Sequence, residues 1–264
     1  HWQEVADYMQ PRKADVTKTR SKGDKRTELI FDASPIQAVE LLAASLHGML
    51  TNPATPWFSL RFKNQELEME DEAKLWLESA TEVMYSAFNR SNFQQEIFEL
   101  YHDLITFGTA AMFIEEDNED ILKFSTRHIN EIFIAEDDKG RIDTVYRKFK
   151  LSVRATIQQF GDSVSMDIKA QAKKDPYNEI EILHAVYPRA DFNPKLKDAE
   201  NMPFESVYVE YKNGNELSIS GFQEFPFVVP RYLKASHEIY GRSPAMTALP
   251  DVKMLNEMSK TTIK

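Results

Sequence analysis

The densest run of acidic side chains is the strongest candidate for chemistry in this sequence. Residues 115–120 read EEDNED, and clustered carboxylate oxygens are the ligands that calcium and magnesium prefer. The run lacks the glycine and the distal glutamate of an EF-hand loop. We predict instead a solvated hairpin tip, whose charge discourages pairing between sheet edges. Residues 136–138 form a similar but weaker cluster.

Other catalytic patterns are absent from the sequence. It has no phosphate-binding Walker loop, no Gly-x-Ser-x-Gly elbow and no His-Glu-x-x-His pair. The lack of cysteine excludes disulfides, thiolate catalysis and cysteine–metal sites. None of the six histidines stands at metal-ligand spacing from another, and His102 and Asp103 are neighbours that should point apart on a helix. We therefore predict no catalytic residue, no bound metal and no cofactor.

A basic segment near the N-terminus is the main candidate for a contact with a partner. Residues 12–26 hold seven basic groups against two acidic ones. Such charge runs are usually solvated or mobile. The alternative is a loop that touches DNA or an acidic neighbouring subunit. The candidate contact residues are Lys18, Arg20, Lys22, Lys25 and Arg26.

The overall charge restricts how the protein could meet nucleic acid. The chain has 264 residues and a net charge of −10, which argues against a surface that grips DNA on all sides. An acidic wall could still repel DNA that passes close to it. No apolar run is long enough to span a membrane. The absence of cysteine is consistent with assembly in a reducing cytoplasm.

Helical periodicity dominates the first 108 residues. Ser34 and Gln37 stand at capping-box spacing with Pro35 between them, and Asn52-Pro53 should end that helix. Helices are also predicted over residues 71–90 and from Ser91 to about residue 107, with Gly108 as a left-handed cap. The apolar positions of these helices, and the segment that follows residue 53, predict the core residues. They are Ile36, Val39, Leu46, Trp57, Trp76 and Phe88.

Short strands dominate residues 109–239, and a helix ends the chain. One strand is predicted earlier, at residues 57–62, and Asn213-Gly214 is the strongest hairpin signal. Ser243 and Pro244 repeat the N-cap and first-turn pattern, and Pro250 should kink the last helix. The order of helices, then strands, then a helix favours the α+β class. The predicted strands lie at residues 110–114, 121–124, 132–135, 141–149, 179–187, 207–211, 216–220 and 227–232.

Four stretches resemble portal proteins, the head-to-tail connecting proteins of short-tailed bacteriophages. The first is ASPIQAVELLAASLHGMLTNPATPWFSLRF at residues 33–62, and the last is YGRSPAMTALPDVKMLNEMSKTTIK at residues 240–264. Between them, DLITFGTAAMF (103–113) and IEILHAVYPR (180–189) are also similar. The resemblance is long and ordered along the chain.

This resemblance implies a fold and a role. Residues 1–239 would form a wing-like domain, helical over 1–108 and β-rich over 109–239. Residues 240–264 would be a hinge and the start of the channel helix, with the clip, the rest of the stem and the crown absent from this chain. The candidate hinge residues are Tyr240, Gly241, Pro244 and Pro250.

The family's biology supplies the expected partners. The chain would belong to a ring, normally a dodecamer, at one capsid vertex of the virion, assembled in the host cytoplasm. Its partners would be the terminase motor, capsid and scaffolding proteins, a tail adaptor and the double-stranded DNA passing through. Two alternatives remain open: a metal-dependent enzyme acting on nucleic acid, and a virion adaptor that forms no ring.

Overall fold

The computed structural model describes residues 1–21, 23–63, 70–196 and 198–263. In these residues helices and strands mix in the α+β manner that the sequence predicts. The α-helices are α1 (Trp2–Met9), α2 (Ser34–Leu50), α3 (Asp71–Arg90), α4 (Phe93–Phe107), α5 (Val153–Phe160), α6 (Met166–Ala172) and α7 (Pro244–Ile263). The strands are β1 (Ala111–Asp117), β2 (Ile121–Arg127), β3 (Ile132–Glu136), β4 (Ile142–Ser152), β5 (Glu179–Pro188), β6 (Phe204–Glu210), β7 (Glu216–Phe222) and β8 (Phe227–Val228).

The chain divides into two compact units. The first unit comprises residues 1–130 and 228–264, and the second comprises residues 131–227. In the sequence, the second unit is thus an insertion within the first. None of the described helices combines the length and apolar character needed to cross a bilayer.

Helix α4 is the centre of the first unit. It contacts α1, α2, α3 and α7 as well as the β1–β2 hairpin. Its apolar residues recur at steps of three and four, so one face is buried over its whole length. The buried residues that surround this face include Val39, Ala43, Met112, Phe124, Ala245 and Leu249.

The β1–β2 hairpin is tied to the beginning of α4. The strands pair antiparallel from Ala111 opposite Arg127 to Asp117 opposite Ile121. The Asn92 side chain donates to the Phe124 carbonyl at 2.8 Å and accepts from the Phe124 N–H at 2.9 Å. One amide thus satisfies both backbone groups of a strand residue and fixes the helix against the hairpin.

The second unit is an antiparallel sheet with two short helices. The strand order is β3-β4-β5-β6-β7, so each strand lies beside its neighbour in sequence. Helices α5 and α6 contribute Val153 and Ile168 to a core with Phe149, Ile182 and Leu217. Ser152 caps α5, because its hydroxyl accepts from the Ala155 N–H at 3.3 Å.

A buried carboxylate joins three parts of the second unit. The Glu210 side chain accepts from the Ser165 N–H and hydroxyl, both at 2.8 Å. It also accepts from the side-chain amides of Asn213 at 2.7 Å and Asn215 at 3.0 Å. Burial acts to raise the pKa of Glu210, but these donors outweigh it and hold the pKa below its ordinary value near 4.5. The carboxylate thus links the start of α6 to the β6–β7 turn, where Gly214 has a φ of 71°.

Two local predictions for the first unit are wrong. Helix α2 begins at Ser34, so Ser34 is not the cap that precedes it. The Asp32 carboxylate accepts from the Ser34 N–H at 2.8 Å. Residues 57–62 form no strand. The Tyr85 hydroxyl accepts from the N–H groups of Trp57 and Phe58 and donates to the Phe58 carbonyl. A side chain of α3 therefore supplies the partners that a strand would have found in a sheet.

The predicted core is partly right. Val39 is buried, whereas Ile36, Leu46, Trp57 and Phe88 are half-buried. The prediction that Trp76 is buried is wrong, because 62% of its surface is exposed. Trp76 does lie on an apolar stripe of α3. The helix packs on the chain, however, through the neighbouring face that contains Leu77.

We predict that replacing Glu210 with glutamine lowers stability most at neutral pH. A carboxylate with a depressed pKa stabilises the fold above its unfolded value, and this contribution is lost as the pH falls through the folded value. Glu210→Gln should therefore lower the free energy of unfolding by about 1–3 kcal/mol at pH 7, with a smaller loss near pH 4. Urea unfolding at both pH values measures this.

The matched control is Glu216→Gln on the exposed edge of β7. It should change the free energy of unfolding little at either pH. An equal loss from Glu210→Gln at pH 7 and at the acidic pH would contradict the assignment.

Candidate functional site: the end of α4, the start of α7 and the basic loop

The two candidate regions both reach helix α4. The residues before α7 pack at the C-terminal end of α4. The segment of residues 12–26, here called the basic loop, is attached through Lys13 to the second half of α4. A helix end leaves carbonyl groups that need donors from elsewhere. The way these donors are supplied determines the geometry of the region.

Two glycines make the closest backbone contact in the region. Gly108 ends α4 in the left-handed conformation, with a φ of 77°, which confirms the predicted cap. A Cβ atom on Gly108 would overlap the carbonyl of Gly241, and one on Gly241 would overlap the carbonyl of Gly108. The Thr109 hydroxyl accepts from the Gly241 N–H at 2.7 Å. The two chain segments therefore meet backbone to backbone, with no room for a side chain.

Ser243 caps α7 and closes α4 at the same time. Its hydroxyl accepts from the Met246 N–H at 3.0 Å and donates to the Thr106 carbonyl at 2.9 Å. The predicted cap at Ser243 is therefore confirmed. The sequence did not reveal the second bond, because Thr106 lies 137 positions away.

The N-terminal helix supplies a further donor. The Trp2 indole donates to the Phe107 carbonyl at 3.1 Å, and its ring meets the Tyr240 ring edge-on with centroids 5.0 Å apart. The two rings border a cavity of about 420 Å³ together with Val16, Ile239 and Met246. Residues from three distant segments thus meet at the end of α4.

The four candidate hinge residues have different positions. Tyr240 and Gly241 are fastened to the end of α4 as described. Pro244 is the first residue of α7, and Pro250 lies inside it. Because proline has no N–H, Pro250 cannot make the helical bond to residue 246. Whether these residues act as a hinge stays a prediction.

A glutamine organises the beginning of the basic loop. Gln3 is buried, and its side-chain oxygen accepts from the N–H groups of Val16, Thr17 and Lys18 at 2.9–3.2 Å. Its amide nitrogen donates to the Asp7 carboxylate at 3.0 Å and also to the Ala14 carbonyl. The first residues of the loop therefore turn around one side chain of α1, which no local sequence pattern singles out.

Part of the loop's positive charge is neutralised within the chain. Arg20 bonds to Asp7 at 3.1 Å and to Asp15 at 3.3 Å, and Arg26 bonds to Asp15 at 2.6 Å. The hydrogen bond to Asp7 is the main cause that raises the pKa of Arg20. By contrast, Lys18 is 62% exposed and lies 3.9 Å from Asp7. Lys25 is also exposed, and Lys22 lies outside the described residues.

A buried ion pair attaches the loop to α4. The Lys13 ammonium lies 2.7 Å from the Asp103 carboxylate and 2.6 Å from Glu99. Burial acts to lower the pKa of Lys13, but the two carboxylates outweigh it and raise that pKa. Asp103 faces Lys13, and no hydrogen bond joins it to His102 in the described structure. His102 is half-buried, and burial lowers its pKa.

The acidic turn is built as a hairpin tip. The Asp117 carboxylate accepts from the N–H groups of Glu119 and Asp120, at 3.0 and 2.9 Å. The bond from Asp120, followed by that from Glu119, lowers the pKa of Asp117. In the part of the chain that the structure describes, no three His, Asp or Glu side chains are arranged to hold a metal ion.

Comparison with known proteins gives two kinds of match. The family described as "Bacteriophage head to tail connecting protein" matches residues 1–264. The "Probable portal protein" of Bordetella phage BPP-1 is 34% identical over 260 residues, which cover 97% of this chain and 47% of that protein. The "Portal protein" of Salmonella phage epsilon15 is 32% identical over 266 residues, which cover 98% of this chain and 48% of that protein. The chain thus spans about half the length of the curated relatives it matches.

We predict that alanine at position 108 strongly destabilises the first unit. Gly108→Ala requires a strained positive φ and places a methyl group against the Gly241 carbonyl, so the two segments must separate. The free energy of unfolding should fall by about 2–4 kcal/mol. Urea unfolding followed by circular dichroism measures the loss.

The matched control is Gly48→Ala in the last turns of α2, where a Cβ atom would meet no neighbour within 4 Å. This change should be neutral or stabilise the chain by up to about 1 kcal/mol. If the two substitutions changed the free energy of unfolding by similar amounts, the contact between Gly108 and Gly241 would not contribute to stability.

Proposed function

Because this chain belongs to the bacteriophage head-to-tail connecting protein family, we propose that it is part of a subunit of a ring-shaped portal. The ring would occupy one vertex of the capsid and provide the attachment point for the tail. The observation that carries the proposal is the family match, which runs over all 264 residues. Two relatives named as portal proteins support it, because each aligns with nearly the whole chain.

In this proposal the chain works through shape and charge. Subunit contacts close a ring, normally of twelve copies in this family, and double-stranded DNA passes through its centre. The net charge of −10 would let DNA slide without adhering, within a screening length of about 8 Å. A separate terminase motor would supply ATP hydrolysis, so the chain needs no enzymatic activity. The remaining partners would be capsid and scaffolding proteins and a tail adaptor, with assembly in the host cytoplasm.

Helix α7 would be the beginning of the stem that lines the channel. Residues 1–239 would then form the wing, and residues 240–264 the hinge and stem start. Two contacts support this assignment. Ser243 and Gly241 attach the first turn of α7 to the end of α4, so the wing sets the direction in which the helix leaves. Pro250 would allow the helix to bend beyond that point.

We predict that the full-length gene product forms rings with a central hole. Electron microscopy of the purified protein and native mass spectrometry test this. A monomer or dimer at all concentrations would favour an adaptor that forms no ring. Cleavage of DNA in the presence of manganese, abolished by substitution of this chain's own carboxylates, would favour the enzyme alternative.

We also predict that changes at Pro250 affect assembly more than folding. Pro250→Ala restores a helical N–H, so it should stabilise α7, by up to about 3 kcal/mol. Pro250→Gly restores the same N–H but gains less, because glycine favours a helix interior by about 1 kcal/mol less than alanine. If the bend is needed, both variants should give fewer rings, although neither should lower the free energy of unfolding. Wild-type ring yield from both would exclude Pro250 as a hinge.

A further inference from the structure

Helix α3 has a second apolar face that stays largely exposed, although the Phe62 ring stacks on Trp76 with ring centroids 6.1 Å apart. Its inner face packs through Leu77, Thr81 and Phe88. On the opposite side, Leu75, Trp76 and Val83 are 65%, 62% and 67% exposed. These residues lie at helical spacing, so they form one stripe. We call this stripe, with its flanking charges, the outer face of α3.

The flanking charges of this face are acidic. Glu72 and Glu82 lie on it, and Glu78 lies beside it on the same helix; all three are exposed. Within the described residues, none of the three takes part in an ion pair. An exposed apolar stripe bordered by unpaired carboxylates is typical of a surface that meets a basic and partly apolar partner.

The chain carries a surface of that chemistry at the basic loop. Arg12, Lys18 and Lys25 are exposed there, and Leu29 and Phe31, which directly follow the loop, are 46% and 40% exposed. The backbone here is held in place. The buried Asn256 of α7 accepts from the Phe31 N–H at 2.7 Å and donates to the Leu29 carbonyl at 2.8 Å. Gln3 holds residues 16–18 at the other end, so both ends of this surface are anchored by side chains of the same chain.

The two surfaces are anchored at different points of α4. Helix α3 packs through Phe88 against Phe93 in the first turn of α4, with ring centroids 4.7 Å apart. The basic loop is attached by Lys13 to Asp103, ten residues further on, a rise of about 15 Å. No ion pair joins the two surfaces among the described residues of one chain. A closed ring needs two different, complementary patches on each subunit, and the exposed charges of these two surfaces are opposite in sign.

We propose that the outer face of α3 in one subunit docks against the basic loop of the neighbouring subunit, with Trp76 near the centre of the contact. This inference rests on the proposed ring. DNA is a less suitable occupant of the loop, because Leu29 and Phe31 offer apolar surface, and Arg20 and Arg26 are already paired with Asp7 and Asp15.

Exchange of charges between the two surfaces tests the contact in the full-length gene product. Three variants are compared: Glu72→Lys with Glu82→Lys, Lys18→Glu with Lys25→Glu, and all four together. Ring fraction is measured by sedimentation and native mass spectrometry at physiological salt. Each double variant should need about tenfold or more protein for half-assembly, and the quadruple variant should recover most of the loss.

The control carries the same charge change elsewhere: Glu216→Lys with Glu224→Lys, both exposed in the second unit. It should assemble as the wild type does. Normal assembly of the α3 variant, or no recovery in the quadruple variant, overturns the proposal. So does a Lys18→Glu/Lys25→Glu variant that assembles normally but binds DNA with a weaker salt dependence, which would assign the loop to DNA. Absence of rings in the wild type would instead refute the proposed function.

Discussion

The first unit depends on how the carbonyl groups at the end of α4 find donors. A helix cannot supply these donors itself, and leaving them buried without partners would cost about 1–3 kcal/mol each. Here the Ser243 hydroxyl and the Trp2 indole, from two distant segments of the chain, donate to the Thr106 and Phe107 carbonyls, and the Gly108 N–H makes the last helical bond to the Leu104 carbonyl. The same contacts fix where α7 begins and how α1 lies. Core packing around α4 and the direction of the final helix therefore have one common cause.

The basic loop shows how charge can be used for structure as well as recognition. Arg20 and Arg26 bond to acidic residues of their own chain, and Lys13 is buried against two carboxylates of α4. Among the described basic residues of the loop, Arg12, Lys18 and Lys25 stay exposed. A count of charges along the sequence cannot separate these two groups, because the separation depends on which carboxylates the fold brings near.

Much of the architecture could be predicted from the sequence, because the elements have strong local signals. The period of α4, the left-handed cap at Gly108, the Ser243 cap and the Asn213-Gly214 turn all need only neighbouring residues. The misses share a different cause. Residues 57–62 form no strand, because Tyr85 bonds to their backbone. Trp76 is exposed, because α3 packs through its neighbouring face. The donors at the end of α4 lie more than 100 positions away, so no local pattern reveals them.

The insertion of residues 131–227 into the first unit affects the order in which the protein folds during synthesis. The second unit is continuous, and its strands pair with their sequence neighbours, so its contacts close short loops. The first unit lacks its last helix until the ribosome has released the chain beyond residue 263. The apolar surfaces that α7 covers must therefore remain open while the inserted sheet is completed, and such transiently exposed surface favours aggregation of the nascent chain.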